Sequence, residues 1–482
     1  MQLATWLAQA EPQFPEQVTT NSLLQNVVYA SGTVGAIMIL AGLVMVDSGG
    51  VRRVNVFTAA IEKMVGFFIG FVVYFLIGFA IWNWQYYVAF GVEDAYWQAI
   101  KDWWLGGSFA NGLAQDVDQA SMGANLNNQQ IFIFFLACFA GIVNVLIHLS
   151  VTERIKPAAY YVISVVAAVV SSVLSWLTWG STGPLTNAGF HDFFGIAFVY
   201  LFPAGMALIL VRKVGARPGM YEPHPAVPEY RSYNLGITTA GVAVIFAGLP
   251  MVILSCLFFF APESYAVSVT MAETSVGVAF NNLGLAWAGG ALMGAAIAYW
   301  KRSYIYLLLG PLGGYVACAP AFDVYKPWQT LLVAMGAPIA CYAVYEFSQA
   351  RRFDEHKLTP LFLGAGSYGL IMVGLVSWGT AKGGYFGVTE GDYAFQNAEI
   401  NVLWQLIGIV VVVAAGIVTA WVLAFILERT IGLRLSDEEQ IRGVDLGDWD
   451  LVSDLEPISG NGVPAAQPEV RPAAPPVVAP GD

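Results

Sequence analysis

Residues 131–179 read IFIFFLACFAGIVNVLIHLSVTERIKPAAYYVISVVAAVVSSVLSWLTW, two apolar runs separated by a short turn that carries Glu153, Arg154 and Lys156. Each run is about 20 residues long, the length at which an α-helix crosses a bilayer core of roughly 30 Å. Hydrocarbon offers no partner for backbone N–H and C=O groups, so a segment buried in it must bond within itself as a helix. The stretch therefore predicts two antiparallel membrane spans, 131–151 and 158–179, joined by a basic turn.

Working outward, the same length and hydropathy predict nine more spans: 26–46, 54–82, 193–211, 234–260, 267–299, 304–321, 328–347, 358–378 and 402–427. The basic residues sort with them. Arg52 and Arg53, Arg154 and Lys156, Arg212, Lys213, Arg217 and Arg231, Lys301 and Arg302, then Arg351, Arg352 and Lys357 fall in alternate loops, and Arg429, Arg434 and Arg442 follow the last span on that side. The opposite loops hold Lys101, Lys326 and Lys382. Basic loops stay in the cytoplasm, so an odd number of spans places the N-terminus outside and the C-terminus in the cytoplasm. A missed or invented helix would scramble this alternation.

Composition agrees. Of 482 residues 57% are hydrophobic and 11% charged, against about 25% charged in soluble domains, too few to cover a soluble globule. The net charge of −12, with no basic face, excludes nucleic acid as a partner; membrane lipid is the expected surround. Cys138, Cys256, Cys318 and Cys341 lie inside apolar runs at no metal-ligand spacing, so neither metal nor cofactor is expected. We divide the chain into an extracytoplasmic N-terminal segment (1–25), a transmembrane domain (26–430), a cytoplasmic C-terminal region (431–459) and a disordered tail (460–482) rich in Pro, Ala and Val. The start, MQLATWLAQAEPQ, has an apolar stretch but no basic flank, which leaves a cleaved signal peptide open. The aromatic-rich segment 83–129 is the longest outer loop.

Four local patterns carry a family resemblance: LVMVDSGGVRRVNV after the first span, TERIKP after the third, WGSTGPLTNAGFHDFFG before the fifth, and GLRLSDEEQIRGVDLGDWD after the last. In this order and at these spans they resemble the ammonium transporter (Amt, Mep and Rh) family. The resemblance implies an all-α membrane fold of about eleven transmembrane helices, two inverted five-helix halves plus a final helix, with one pore per subunit of a homotrimer. It also implies a C-terminal region that contacts PII-type signalling proteins. Internal inverted repeats are a common transporter device.

The family pore resembles an apolar tube with two proton-sharing histidines. The first follows an aspartate by eight residues, which from Asp192 lands on Tyr200; the second, matched through LFLGAGSYG, falls on Ala365. Tyrosine titrates near 10 and alanine has no polar side-chain atom, so the chain looks like a member without the twin-histidine motif. The family's outer cation-binding Trp corresponds to Trp179, which reads either as a cation face or as an interfacial anchor. Phe139 matches the first gate phenylalanine or is core filler; Val252 falls at the second gate position and Cys256 at the family's serine. Asp192 is expected to accept backbone N–H groups at a helix start.

Glu62 and Lys63 in the second span and Glu273 near the outer end of the seventh are intramembrane polar residues, functional candidates by default because burying a charge in lipid is costly. Successive helical side chains diverge by about 100°, so Glu62 and Lys63 do not simply pair; a structural role between helices or at a subunit contact is favoured. His148 is expected at the cytoplasmic interface. The G-x-G-x-x-G match at residues 364–369 follows no strand, so close helix packing explains it better than phosphate binding. No enzyme motif is present. The sequence thus points to an ammonium or ammonia transporter or channel whose altered pore favours neutral molecules, or else to a non-conducting receptor or structural subunit built on the same fold.

Overall fold

A computed structural model describes residues 20–113, 126–227, 229–257, 259–260, 268–269, 274–381, 390–391, 394–449 and 451. Glu273, the proposed signal segment and the proline-rich tail lie outside them. Among the described residues ten helices are long and apolar enough to cross a membrane: Leu23–Gly50, Arg53–Ala89, Leu126–Val151, Pro157–Ala188, Ala197–Val214, Leu235–Cys256, Val276–Lys301, Pro327–Ala350, Thr359–Val376 and Val402–Arg429. An eleventh apolar helix, Ile305–Ala321, is shorter and takes the eighth place. We refer to these eleven as the first to eleventh spans in chain order.

Local chemistry sets the ends. Proline opens the fourth and ninth spans at Pro157 and Pro327, where its missing N–H costs nothing. Asn234 caps the sixth span by accepting from the N–H of Gly236 and Ile237, and Asn401 caps the eleventh through Trp404. Several expected boundaries move. The second span runs seven residues past Trp82, to Ala89, through a π-helical turn at Tyr74–Gly78. The sixth helix ends at Cys256, after which Phe259–Phe260 pairs antiparallel with Ser268–Val269. The seventh helix starts at Val276 rather than near residue 267, because the Ser275 hydroxyl accepts the N–H of Val278 and ends the extended approach to it.

The packing repeats itself. The third span touches the second, fourth and fifth, and the eighth likewise touches the seventh, ninth and tenth. The fifth and tenth spans each begin with π-helical turns, Ala197–Leu201 and Thr359–Gly366, and these two segments meet. The first and sixth spans, which lead the two halves, cross at bare backbone: a Cβ on Gly35 would lie 2.5 Å from the Gly248 carbonyl, and one on Gly248 equally close to that of Gly35.

Basic loops gather on one face and bind one another there. Glu153, at φ +70°, accepts from the backbone of Arg52, from Asn55 and from the Tyr230 hydroxyl at 2.6 Å, and pairs with Arg217. Its left-handed backbone, uncommon away from glycine, is held by four partners. Arg154 and Arg217 both pair with buried Asp354; burial opposes ionisation there, but the two guanidiniums outweigh it and hold the carboxyl well below the usual range. The C-terminal region docks on this face, with the backbone of Lys156 and Leu435 bonded to Leu433 and Arg154, and Asp445 accepting the first N–H groups of the second span, Phe57 and Thr58.

Candidate functional site

The fifth and tenth spans bring Tyr200 and Phe362 together, ring centroids 4.6 Å apart. The Tyr200 hydroxyl lies 3.3 Å from that of Tyr315 on the eighth span. Tyr315 stands 5.6 Å from Phe194, and Phe194 is 6.5 Å from Phe139 of the third span. Tyr200, Tyr315 and Phe362 form one end of a cavity of about 480 Å³ whose other walls include Ile39, Leu146, Val242 and Leu309, and which reaches Arg217, Tyr230, His356 and Lys357 on the basic face. It is therefore an aliphatic chamber with a cationic mouth and two phenols at its deep end.

The remaining predicted positions surround this chamber or lie apart from it. Ala365 is fully buried in the π-helical start of the tenth span, against the eighth-span glycine Gly313. Val252 is fully buried and packs at Gly35, in the seam between the first and sixth spans. Cys256 is buried at the end of the sixth helix. Trp179 is only 4% exposed; its Nε1 donates to the Phe193 carbonyl at 3.0 Å, and its ring stands 5.3 Å from Trp82 and 6.0 Å from Phe198. Asp192 accepts from the N–H of Ile196 at 2.9 Å and of Ala197 at 2.7 Å, where the fifth span starts. Burial pushes its carboxyl up to about 6 in spite of these bonds.

Glu62 and Lys63 do not bond each other; His148 stands between them. Lys63 Nζ donates to Nδ1 of His148 at 2.8 Å and to Asp47, while Nε2 of His148 lies 2.6 Å from Glu62. His148 is fully buried, and Tyr160 of the fourth span closes over its ring at 4.5 Å. On the far side, His191 and Asp323 form a second buried pair at 2.9 Å. Tyr315, Phe362, Asp47, His191 and Asp323 escaped the sequence reading, and Lys357 was read only as a basic loop charge, since each acts through a partner on another element. The one local signal was Asp47 itself, an acid closing an apolar run.

A sequence model described as the Ammonium Transporter Family matches residues 27–452. The chain belongs to that family. This ammonium transporter family member is 26% identical over 432 residues to the ammonium transporter Amt2 of Archaeoglobus fulgidus, covering 85% of this chain and 83% of that one. It is 26% identical over 420 residues to a putative ammonium transporter of Methanothermobacter thermautotrophicus, covering 85% and 93%. Among solved structures its fold is similar to a Sensor Amt Protein (TM-score 0.68, 17% identity, 89% of this chain and 99% of that one) and to Candida albicans Mep2 (TM-score 0.66, 18% identity, 88% of each). At those identities the structural likeness concerns the fold alone. Membership of a transporter family agrees with a chain that is not an enzyme.

Proposed function

We propose that this family member conducts ammonia, or another small neutral molecule such as carbon dioxide or water, passively through each subunit of a homotrimer in the cell membrane. Its N-terminus faces outward, and its basic face with the docked C-terminal region lies in the cytoplasm, where a PII-type protein could reach it. The observation that carries this reading is the aliphatic chamber ending on the Tyr200–Tyr315 hydroxyl pair. Such walls penalise a bare ammonium ion heavily, and phenols, which keep their proton at neutral pH, do not relay one there. A neutral solute avoids both costs.

The test uses the full chain in proteoliposomes. An ammonium gradient should give currents near background, while the vesicle interior should alkalinise faster than in protein-free vesicles. Robust saturable currents would overturn the neutral-solute reading. A specific observation favours a second reading: with Phe362 at 4.6 Å and Tyr315 at 3.3 Å, Tyr200 is placed to shut the chamber, as a non-conducting receptor requires. Alkalinisation no faster than in bare lipid would select it, and the C-terminal region would then be the working part.

A further inference from the structure

Away from the chamber's deep end, five titratable side chains from four parts of the chain form one continuous hydrogen-bonded line. Lys357, in the turn before the tenth span, lines the cavity wall and donates to Oδ1 of Asp47 at the end of the first span. Oδ2 of Asp47 receives Lys63 of the second span and, at 2.6 Å, the Thr152 hydroxyl. Lys63 continues to Nδ1 of His148 on the third span, and Nε2 of His148 to Glu62. Asp47, Glu62, Lys63 and His148 are all at most 5% exposed. Only Lys357, whose side chain is 24% exposed, opens to the chamber.

The network assigns the protons. An ammonium offers only donors, so Nδ1 of His148 must accept from Lys63, and Nε2–H is left to donate to the Glu62 carboxylate. An imidazolium would set two donors against each other at 2.8 Å. With His148 neutral, two lysines balance two carboxylates and the line is neutral overall. The other groups facing the imidazole are Tyr160 of the fourth span, whose hydroxyl is committed to the Asn144 carbonyl, and Thr152. Neither adds a charge.

We propose that this line is a proton-transfer chain that loads Glu62 from the chamber's cationic mouth on the basic face, on a route separate from Tyr200 and Tyr315. Lys63 gives an N–H proton to Nδ1 of His148 while Nε2 gives its own to Glu62. The products are a neutral amine at Lys63, the opposite imidazole tautomer and a protonated Glu62. Asp47 passes a replacement proton from Lys357 to Lys63, whose three N–H groups then turn to Asp47, the Ala59 carbonyl and the Thr152 hydroxyl and away from Nδ1–H. A hydronium ion at the cationic mouth reprotonates Lys357. One proton enters and the line gains one positive charge. The inference stands whether or not the central path conducts.

Infrared difference spectra after an acid jump, taken on the full chain in lipid nanodiscs, test it. A protonated-carboxyl band should appear, be missing in Glu62→Gln, form about 100-fold more slowly in His148→Phe, the scale of a lost acid–base group, and be unchanged in Tyr200→Phe. Absence of any band assignable to Glu62, or an equal rate in His148→Phe, would mean a static ion-pair cluster and overturn the proposal. Nitrogen-15 spectra of the unaltered chain guard against a variant that fails to fold. They should find the His148 signal as a neutral ring protonated at Nε2, and a permanent imidazolium or the opposite resting tautomer would overturn the assignment equally.

Discussion

Asp192 condenses two opposing forces into one side chain. Its carboxylate holds two N–H groups at the start of the fifth span, yet burial makes its charge costly, and the latter dominates because the carboxyl is pushed up to about 6 from an ordinary 3.8. Between those values the folded chain holds a proton that the unfolded chain has lost, so stability falls as pH rises through this window and levels off above it. Thermal unfolding in detergent across about pH 4 to 7 should show this slope in the parent and lose it in Asp192→Asn, which keeps an acceptor without a charge. Asp192→Ala should lower stability by about 1–2 kcal/mol, the value of a helix cap, and reduce assembly; a variant with normal expression, melting and oligomer content would contradict this. His356 behaves with the other sign of group. Burial first, then the Arg217 guanidinium, pushes it down to about 4, so its contribution is complete above about 6.5 and is lost as pH falls towards 4. His356→Gln should flatten acid unfolding over that interval. Asp192 was legible because an acid at a helix start is a local rule, whereas the partners of Tyr200 and His148 come from other helices and leave no local trace.

At the scale of elements, lipid decides helix formation but not helix contact. With no hydrophobic drive between apolar helices in hydrocarbon, close approach of backbones has to supply the attraction. The first and sixth spans achieve it reciprocally: a Cβ on Gly42 would fall 2.6 Å from the Gly241 carbonyl, and one on Gly241 2.6 Å from that of Gly42. Gly35→Ala and Gly42→Ala should each cost about 1–3 kcal/mol as overpacking. Gly284→Ala in the seventh span is the control: a Cβ there meets nothing within 4 Å, and its melting temperature should not fall. A stable Gly42→Ala protein would show that the crossing tolerates separation. Span number and the shared side of the basic loops were readable because hydrocarbon length and loop charge act on contiguous residues. Helix ends were read less well: hydropathy carried the seventh span back to residue 267, past the cap at Ser275 that sets its start, and stopped the second span at Trp82, where an aromatic tail continues the helix.

For the whole molecule, the C-terminal region clasps the first half on the basic face, while Asp354 and Lys357 tie the two halves together there. Arg52 donates to the carbonyls of Gln440 and Ile441, Val444 donates to Asn55, Asp445 caps the second span, and Arg434 reaches the Val214 carbonyl at the end of the fifth. The covalent link to the eleventh span means that these bonds fix one end of that helix, whose flank is otherwise largely open to the surroundings. Each bond contributes about 0.5–1.5 kcal/mol net, and the Asp445 cap involves an ionised acceptor, a stronger kind. Truncation after Thr430 should therefore lower the melting temperature and speed proteolysis of the 215–233 loop, while circular dichroism keeps its helical signal, because the spans depend on lipid rather than on this clasp. Asp445→Ala should reproduce part of the loss, about 1–2 kcal/mol. If the truncated chain melted and resisted protease like the parent, docking would be an ornament of the fold, and the basic face would hold itself together through Glu153 and Asp354 alone.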